Sequence, residues 1–468
     1  MSKKVDANGQ RKFGMIDKLA YAAGDFGCNM SFALKGTITI FWTQFIGIDE
    51  IAMAGLLLLV QVWDAINDPV IGAMIDADKR QYKRNKFLQY IHIGSIGLMV
   101  AGAACFLPVQ GFPQFAKSLM FVAGYILWDA FYTIANVPYG SMLSLISTDP
   151  GDRAELSTFR SVGSMAGNIA TGILLPILIY DAQSNLLGNR VFIIALVMGF
   201  IGFIFFQFMI RKTVIRVDTN IELSEEPQKF NVIQAAVRFF KNRAAVGATL
   251  APVGQFIAMY GAATANTVMW QSYFKNAQIS GLMQMISFLP MFVFMPFIRK
   301  IVSKWGKKEA VTVGCIITTI GYALLLFLPI TPDGKGIAMW VGGQLIAGIG
   351  GGIGTCVSWS LMADAMDYGE WKFGVREEGT TYAVHSFFRK LAQGIGPSLG
   401  LVLAAALGYD AALGAQQLPE VASTMRYLTA AMYTIGGVLQ LVGLGVVYNL
   451  DSKTLAKIQE DLAARKAK

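Results

Sequence analysis

Two carboxylates and an amide stand where hydrocarbon should have neither. Trp63-Asp64-Ala65-Ile66-Asn67-Asp68-Pro69 lies inside an apolar run, residues 52–75, long enough to cross a bilayer. An acidic residue at the centre of a spanning helix costs roughly 3 kcal/mol on insertion scales, so two of them within one turn require a polar interior. Asp64 and Asp68 fall about 40° apart round a helix, with Asn67 on their flank. Two chemistries fit such a pair. One carboxyl takes a proton because close charges cannot both ionise cheaply, or both stay ionised around a desolvated Na⁺ to which Asn67 adds a neutral oxygen. Pro69 frees the carbonyl of position 65 as a further oxygen. The plain alternative is a fixed ion pair with Lys or Arg from a neighbouring helix.

Other apolar runs carry polar residues in register. Asp25 and Asn29 share one face of the first, with Lys35 deeper in. Asp129, Thr133, Asn136 and Gly140 follow at spacings of four, three and four, a single stripe that must face protein or water. Arg160 stands in the fifth run, and His385, Ser386, Arg389 and Lys390 in the eleventh. Buried cations need acidic partners or an oxygen-rich ligand. Arg160 and Lys390 therefore either pair permanently with Asp25, Asp64, Asp68 or Asp129, or exchange between those acids and substrate hydroxyls. His385 is a satisfied polar residue or a proton carrier. Trp128 and Trp359 offer faces for stacking a sugar, or are core and interface residues. Asp364, Asp367 and Glu370, with Arg376 beyond them, end the tenth run; the expectation is a gating latch of inter-helix salt bridges, the alternative a solvated loop.

These residues need a scaffold. With 468 residues, 54% hydrophobic and 15% charged, at a mean hydropathy of +0.50, the chain reads as an all-α polytopic membrane protein. Spans are expected at 19–47, 50–75, 87–108, 114–147, 155–181, 190–210, 244–274, 278–301, 309–329, 336–366, 380–409 and 423–449. Cations such as Arg80, Lys86, Arg211, Arg216, Arg238, Lys300, Lys304 and Lys307 follow the even-numbered spans, so the net charge of +9 is a topology signal and not a nucleic-acid signal. The expected organisation is a cytoplasmic tail over 1–18, a six-helix half over 19–210, a cytoplasmic linker over 211–243, a second six-helix half over 244–449, and a cytoplasmic tail over 450–468 that forms an amphipathic helix. The first span is retained, because no short apolar core with a cleavage site precedes it. Cys28, Cys105, Cys315 and Cys356 lack metal-ligand spacing and read as small buried hydrophobes.

Gly24-Asp25-Phe26-Gly27-x-Asn29, the Trp63–Pro69 stretch, Asn136-Val-Pro138-Tyr139 and Ala363-Asp364-x-x-Asp367-Tyr368-Gly369-Glu370 together resemble the glycoside–pentoside–hexuronide:cation symporter family, the melibiose-carrier branch of the major facilitator superfamily. The resemblance covers almost the whole chain. It implies that Asp64 and Asp68 bind Na⁺, Li⁺ or H⁺, with Asn67 and Thr133 nearby. It also implies sugar contacts at Asn29, Asn136, Gly140, Arg160, Ser386 and Lys390. Asp25, Asp129, Trp359 and His385 join the sugar-binding set on the polar stripes above. Melibiose carriers have acids at the positions of Asn29 and Asn136 and a Trp at Gly140, so the galactoside specificity of that branch does not carry over. The implied function is sugar import with Na⁺ or H⁺ by alternating access, in a cell membrane, as a monomer without a cofactor. A lysolipid or other small-molecule transporter of the same fold is the alternative; an enzyme is disfavoured, since no activated nucleophile or metal-ligand cluster is present.

Overall fold

In lipid, every backbone N–H and C=O must find its partner within the chain, which leaves helices as the way an apolar sequence of this kind crosses. The computed structural model describes the chain except residues 1–10, 79, 81, 83, 84, 148, 217–231, 295, 296, 375–377, 467 and 468. It resolves into two compact units, residues 1–226 and 227–468. Among the described residues, eight helices are individually long and apolar enough to cross a membrane. Each of the other expected spans also falls on helix.

The first unit contains α1 (Met15–Phe32), α2 (Lys35–Ile40), α3 (Glu50–Ala77), α4 (Lys86–Ala104), α5 (Gln114–Ile146), α6 (Pro150–Ile179) and α7 (Gly188–Lys212). The expected first span is thus two helices, interrupted at Ala33–Leu34 just before Lys35, and a π-helical turn over Phe41–Phe45 completes it. α3 is capped by Asp49, whose carboxylate accepts from the Ala52 amide at 2.9 Å. The helix continues through Pro69. At its far end the Asp78 carboxylate accepts from the hydroxyls of Tyr82 (2.6 Å) and Tyr90 (2.7 Å) and from the Arg80 amide (2.9 Å), which ties α3 to the start of α4. Those hydrogen bonds, the Tyr82 one foremost, hold the Asp78 pKa down at about 2. The tie is therefore present at any pH above the ordinary carboxylate range and is lost only as pH falls through about 2. Asp17, buried at the start of α1, accepts from Arg11 (2.7 Å) and Arg216 (3.1 Å), which fastens both ends of this unit.

The second unit contains α8 (Val232–Lys241), α9 (Arg243–Gly261), α10 (Ala263–Val268), α11 (Ser280–Ile286), α12 (Leu289–Phe294), α13 (Ile298–Trp305), α14 (Lys307–Phe327), α15 (Gly334–Phe373), α16 (Glu378–Ala406), α17 (Pro419–Leu441) and α18 (Ser452–Lys466). α8 lies inside the segment expected to be a linker. Its apolar residues recur at helical spacing, and burial of Phe239 in the core stabilises it against the surrounding charge. The expected linker's residues 217–231 lie outside the described residues. α18 takes up the C-terminal tail as an amphipathic helix: Ile458 and Leu462 are buried, and Trp371 Nε1 donates to Asp461 at 2.9 Å.

The two units repeat one plan. In the first, α1 packs on α6 and α7, α4 on α5 and α7, and α3 on α5; in the second, α9 packs on α16 and α17, α14 on α15 and α17, and α12 on α15. The opening span breaks in both, at Ala33–Leu34 and at Ala262, and each ends in a π-helical turn around a buried tryptophan, Trp42 or Trp270. Repeated halves are the frame of many secondary transporters. Within each half the first and fifth spans touch backbone to backbone: a Cβ at Gly163 would collide with the Ala22 carbonyl, and one at Gly400 with the Gly261 carbonyl.

Because the obstacle is backbone, Gly163→Val is expected to lower stability by about 1 to 3 kcal/mol. Gly55→Ala, which meets nothing within 4 Å, is expected to leave it unchanged or raise it. Thermal unfolding of the detergent-purified protein distinguishes the two; equal melting points would contradict the packing described.

Candidate functional site

The amide of Asn67 is the centre of the first polar cluster. It projects from α3 with no solvent exposure, and its Nδ2 donates to Thr133 Oγ1 (2.8 Å), Asp129 Oδ2 (3.0 Å) and the Asp129 carbonyl (3.3 Å) on α5. Asp129 and Thr133 present their acceptors together because four residues make about one helical turn. A carboxylate only accepts, so its presence fixes which end of the amide faces it. The carbonyl oxygen Oδ1 is consequently turned away from these acceptors, and it is buried without a partner. Leaving a buried acceptor unpaired costs about 1 to 3 kcal/mol, so the site is built to receive a cation or a donor.

Lys35 completes this cluster. Its ammonium stands 3.3 Å from Asp129 Oδ1 and within 5.3 to 5.9 Å of the ring centroids of Phe32, Tyr125, Trp128 and Tyr132, with Asp64 close enough to act on the same charge. Asp129, expected among the sugar-binding residues, is 1% exposed and is engaged with Asn67 and Lys35 instead. Trp128 is core: it is 1% exposed and donates to Ser31 Oγ at 2.6 Å, so it offers no face to a sugar. Asp64 is half-buried on α3; the Asp68 side chain lies outside the described residues.

A second cluster joins α1, α5 and α6. Arg160 Nε donates to Asp25 Oδ1 at 3.3 Å, and its guanidinium lies 4.9 Å from the centroid of the Tyr139 ring. Asn29 Nδ2 donates to the Asp25 carbonyl (2.8 Å) and to Ser164 Oγ (3.1 Å), while the Cys28 thiol reaches Asn136 Oδ1 at 3.9 Å. Asp25, Asn29, Asn136 and Arg160 are thereby brought together in one cluster. Tyr139, which the sequence marks only within the Asn136-Val-Pro138-Tyr139 motif, belongs to the same cluster. It accepts the Arg160 cation on its face and donates its hydroxyl to the Tyr21 carbonyl at 2.6 Å, and the signal available in sequence was an aromatic three positions from Asn136 on the same stripe. Gly140 opens onto space, with nothing within 4 Å of an added Cβ.

In the second half, His385 on α16 is buried and its Nδ1 lies 2.9 Å from Thr249 Oγ1 on α9. Ser386 and Lys390 are half-buried on the same helix. The Trp359 side chain lies outside the described residues. At the end of α15, Asp364 is buried and accepts from Lys307 Nζ through both oxygens, at 2.8 and 2.7 Å, an inter-helix pair of the kind expected for a latch. Asp367 and Glu370 continue that helix half-buried, and Arg376 lies outside the described residues.

A helical repeat with polar clusters inside its halves defines a membrane transporter. The MFS/sugar transport protein family model matches residues 20–452, and the chain belongs to that family of the major facilitator superfamily. Among its relatives, a symporter of Bacillus subtilis named YjmB, itself uncharacterized, is 29% identical over 98% of each chain. The glucuronide carrier protein homolog of Escherichia coli is 25% identical over 96% of this chain and 95% of the relative. The isoprimeverose transporter of Lactiplantibacillus pentosus is 26% identical over 96% and 92%. The crystal structure of a D-xylose-proton symporter shares the fold at a TM-score of 0.62 and 15% identity, covering 93% of this chain and 97% of that one. These relatives and fold neighbours are transporters, not enzymes.

Removing one partner of a buried ion pair leaves the other charge stranded. Lys35→Met is therefore expected to destabilise the protein by about 3 kcal/mol, and the double variant Lys35→Met/Asp129→Asn to recover most of that loss. A double-mutant cycle read by thermal or chemical unfolding checks this; additive losses would show that the pair is not coupled.

Proposed function

We propose that this sugar transport protein is a cation-coupled symporter that imports its sugar by alternating access. The observation that carries the reading is the buried, unpartnered carbonyl oxygen of Asn67, one residue from Asp68 and three from Asp64 on the same helix. The coupling cation, Na⁺ or H⁺, is cargo: it binds Asp64 and Asp68, with Asn67 Oδ1 as an added ligand for Na⁺, while Thr133 and Asp129 hold the amide in place. Sugar hydroxyls bind at Asn29, Asn136 and Arg160 in the first half and at Ser386 and Lys390 in the second. Coupling requires that the protein carrying cation alone reorients poorly, a difference in free energy between loaded states. No cofactor is needed. The relatives named for a glucuronide and for isoprimeverose support a sugar as the substrate, and the D-xylose-proton symporter supports ion coupling on this fold.

Asp68→Asn keeps the shape of the site and removes the charge. In vesicles it is expected to bring accumulation down to equilibrium with the medium while sugar binding survives, and Asn67→Ala is expected to raise the half-saturating cation concentration about tenfold, the equivalent of about 1.4 kcal/mol. If Asp68→Asn vesicles still concentrate sugar in response to Na⁺ or pH, the cation assignment is wrong. Uptake of a lysolipid in place of any sugar by the unaltered protein would instead overturn the substrate class.

We further place the protein in the cell membrane, with Arg80, Arg216 and Lys304 on the cytoplasmic side and Asp49, Asp181 and Asp333 outside, on the distribution of Lys and Arg among the loops. A cysteine at position 304 in a cysteine-free background is expected to resist membrane-impermeant maleimide in whole cells and react once the cells are opened. Labelling in intact cells would reverse the orientation.

A further inference from the structure

The second half contains a cavity of about 440 Å³ that none of the sequence motifs marks. Five amide side chains line it: Gln255 from α9, Asn266 from α10, Gln284 from α11, Gln344 from α15 and Gln440 from α17. Ser287 adds a hydroxyl, and none of the described lining residues is Asp, Glu, Lys, Arg or His. The rest of the wall is apolar, formed by aromatic rings together with Met259, Met283, Val341 and small residues. Tyr322 and Tyr433 stack at 5.1 Å and 29°, and Trp270 and Trp340 are buried against Phe274 at 5.0 and 6.3 Å.

Gln344 has Tyr433 as a partner and Gln255 and Gln284 stand at exposed positions, yet amides are costly inside a membrane unless something hydrogen-bonds them, and five converging on one cavity suit a polar occupant. Each amide both donates and accepts, as a sugar hydroxyl does, whereas a carboxylate or sulfonate would ask for cations that these walls lack. Tyrosine and tryptophan bring apolar faces with a polar handle, which suits the alternating C–H and O–H edges of a pyranose or furanose. The volume lies within the range of small-molecule sites. In the first half, Lys35 and Arg160 already face Asp129 and Asp25, which leaves their charge compensated inside the protein.

We propose that this cavity, walled by Asn266, Gln344, Tyr433 and Trp270, is a subsite for an uncharged, hydroxyl-bearing sugar ring. The proposal rests on the reading of the protein as a sugar transporter and adds that the substrate is a neutral glycoside or pentoside. The amides set orientation and the paired rings supply the contact surface. A glycosyl unit that carries its polarity as hydroxyls fits; a uronic acid brings a charge, and none of the described lining residues carries a cation to meet it.

The test uses the full-length protein in nanodiscs, with binding followed by calorimetry for methyl β-D-xyloside, a neutral xylosyl-glucose disaccharide, glucuronate and a lysolipid. The neutral disaccharide is expected to bind most tightly, and Asn266→Leu and Gln344→Leu are each expected to weaken it at least tenfold. Gln255→Ala and Gln284→Ala sit at exposed positions on the rim and should fold regardless. They are expected to weaken neutral-sugar binding several-fold, so the inference does not depend on the interior variants surviving. Neutral-sugar binding that is unchanged in the folded variants overturns the cavity while leaving sugar transport standing. Tighter binding of glucuronate than of the neutral sugars overturns neutrality. Binding of lysolipid and of no sugar overturns the sugar reading on which the subsite rests, and the subsite falls with it.

Discussion

Asp129 accepts hydrogen bonds on every side and donates none, and the arrangement of the first half's polar interior depends on that. It takes the Asn67 amide through a side-chain and a backbone oxygen and the Lys35 ammonium through the other carboxylate oxygen. Three spans are joined there: the broken first one, the second and the fourth. The orientation of Asn67 is not free once the carboxylate is ionised, since turning the amide over would set oxygen against oxygen. The exposed consequence is a single buried carbonyl oxygen held ready on the helix that carries Asp64 and Asp68.

The cost of this design is a buried charge pair, and the protein meets it locally. Four aromatic rings surround the Lys35 ammonium, so the cation is desolvated into a setting that still favours positive charge. Arg160 has the same solution on a smaller scale, a carboxylate on one side and the Tyr139 face on the other. At the end of α15 the pattern recurs without aromatics, where Lys307 gives both oxygens of Asp364 a donor. In each case the partner comes from another helix, so these pairs register spans against each other as well as balancing charge.

The repeat of contacts between the halves explains how two such different interiors share one plan. The helices that pack first with fifth and third with fourth do so through small residues and close backbones, and that frame is indifferent to which side chains fill the middle. The first half fills it with charge pairs and the second with amides and stacked rings. A fold of this kind sets positions; the chemistry is what the sequence puts at them.

Hydrophobic runs, the acidic pair on the second of them and the spread of cations among loops were readable without coordinates, because each follows from the cost of placing charge or bare backbone in hydrocarbon. So was the stripe Asp129, Thr133, Asn136, since helical spacing is local, while the likeness to sugar symporters rested on resemblance of the motifs and not on spacing. Tertiary packing alone could say that Asp129 turns to Asn67 and Lys35 while Asn136 turns to Cys28, a division within one stripe decided by which neighbouring helix lies against each turn. The helix in the central segment, and the docking of the C-terminal helix that the sequence did mark, depend on packing for a related reason: their short apolar faces acquire meaning only against the core that buries Phe239, Ile458 and Leu462. The amide-lined cavity is the extreme case. Its five polar residues are spread from position 255 to 440 and share no spacing, so only the packing of five helices brings them to one place.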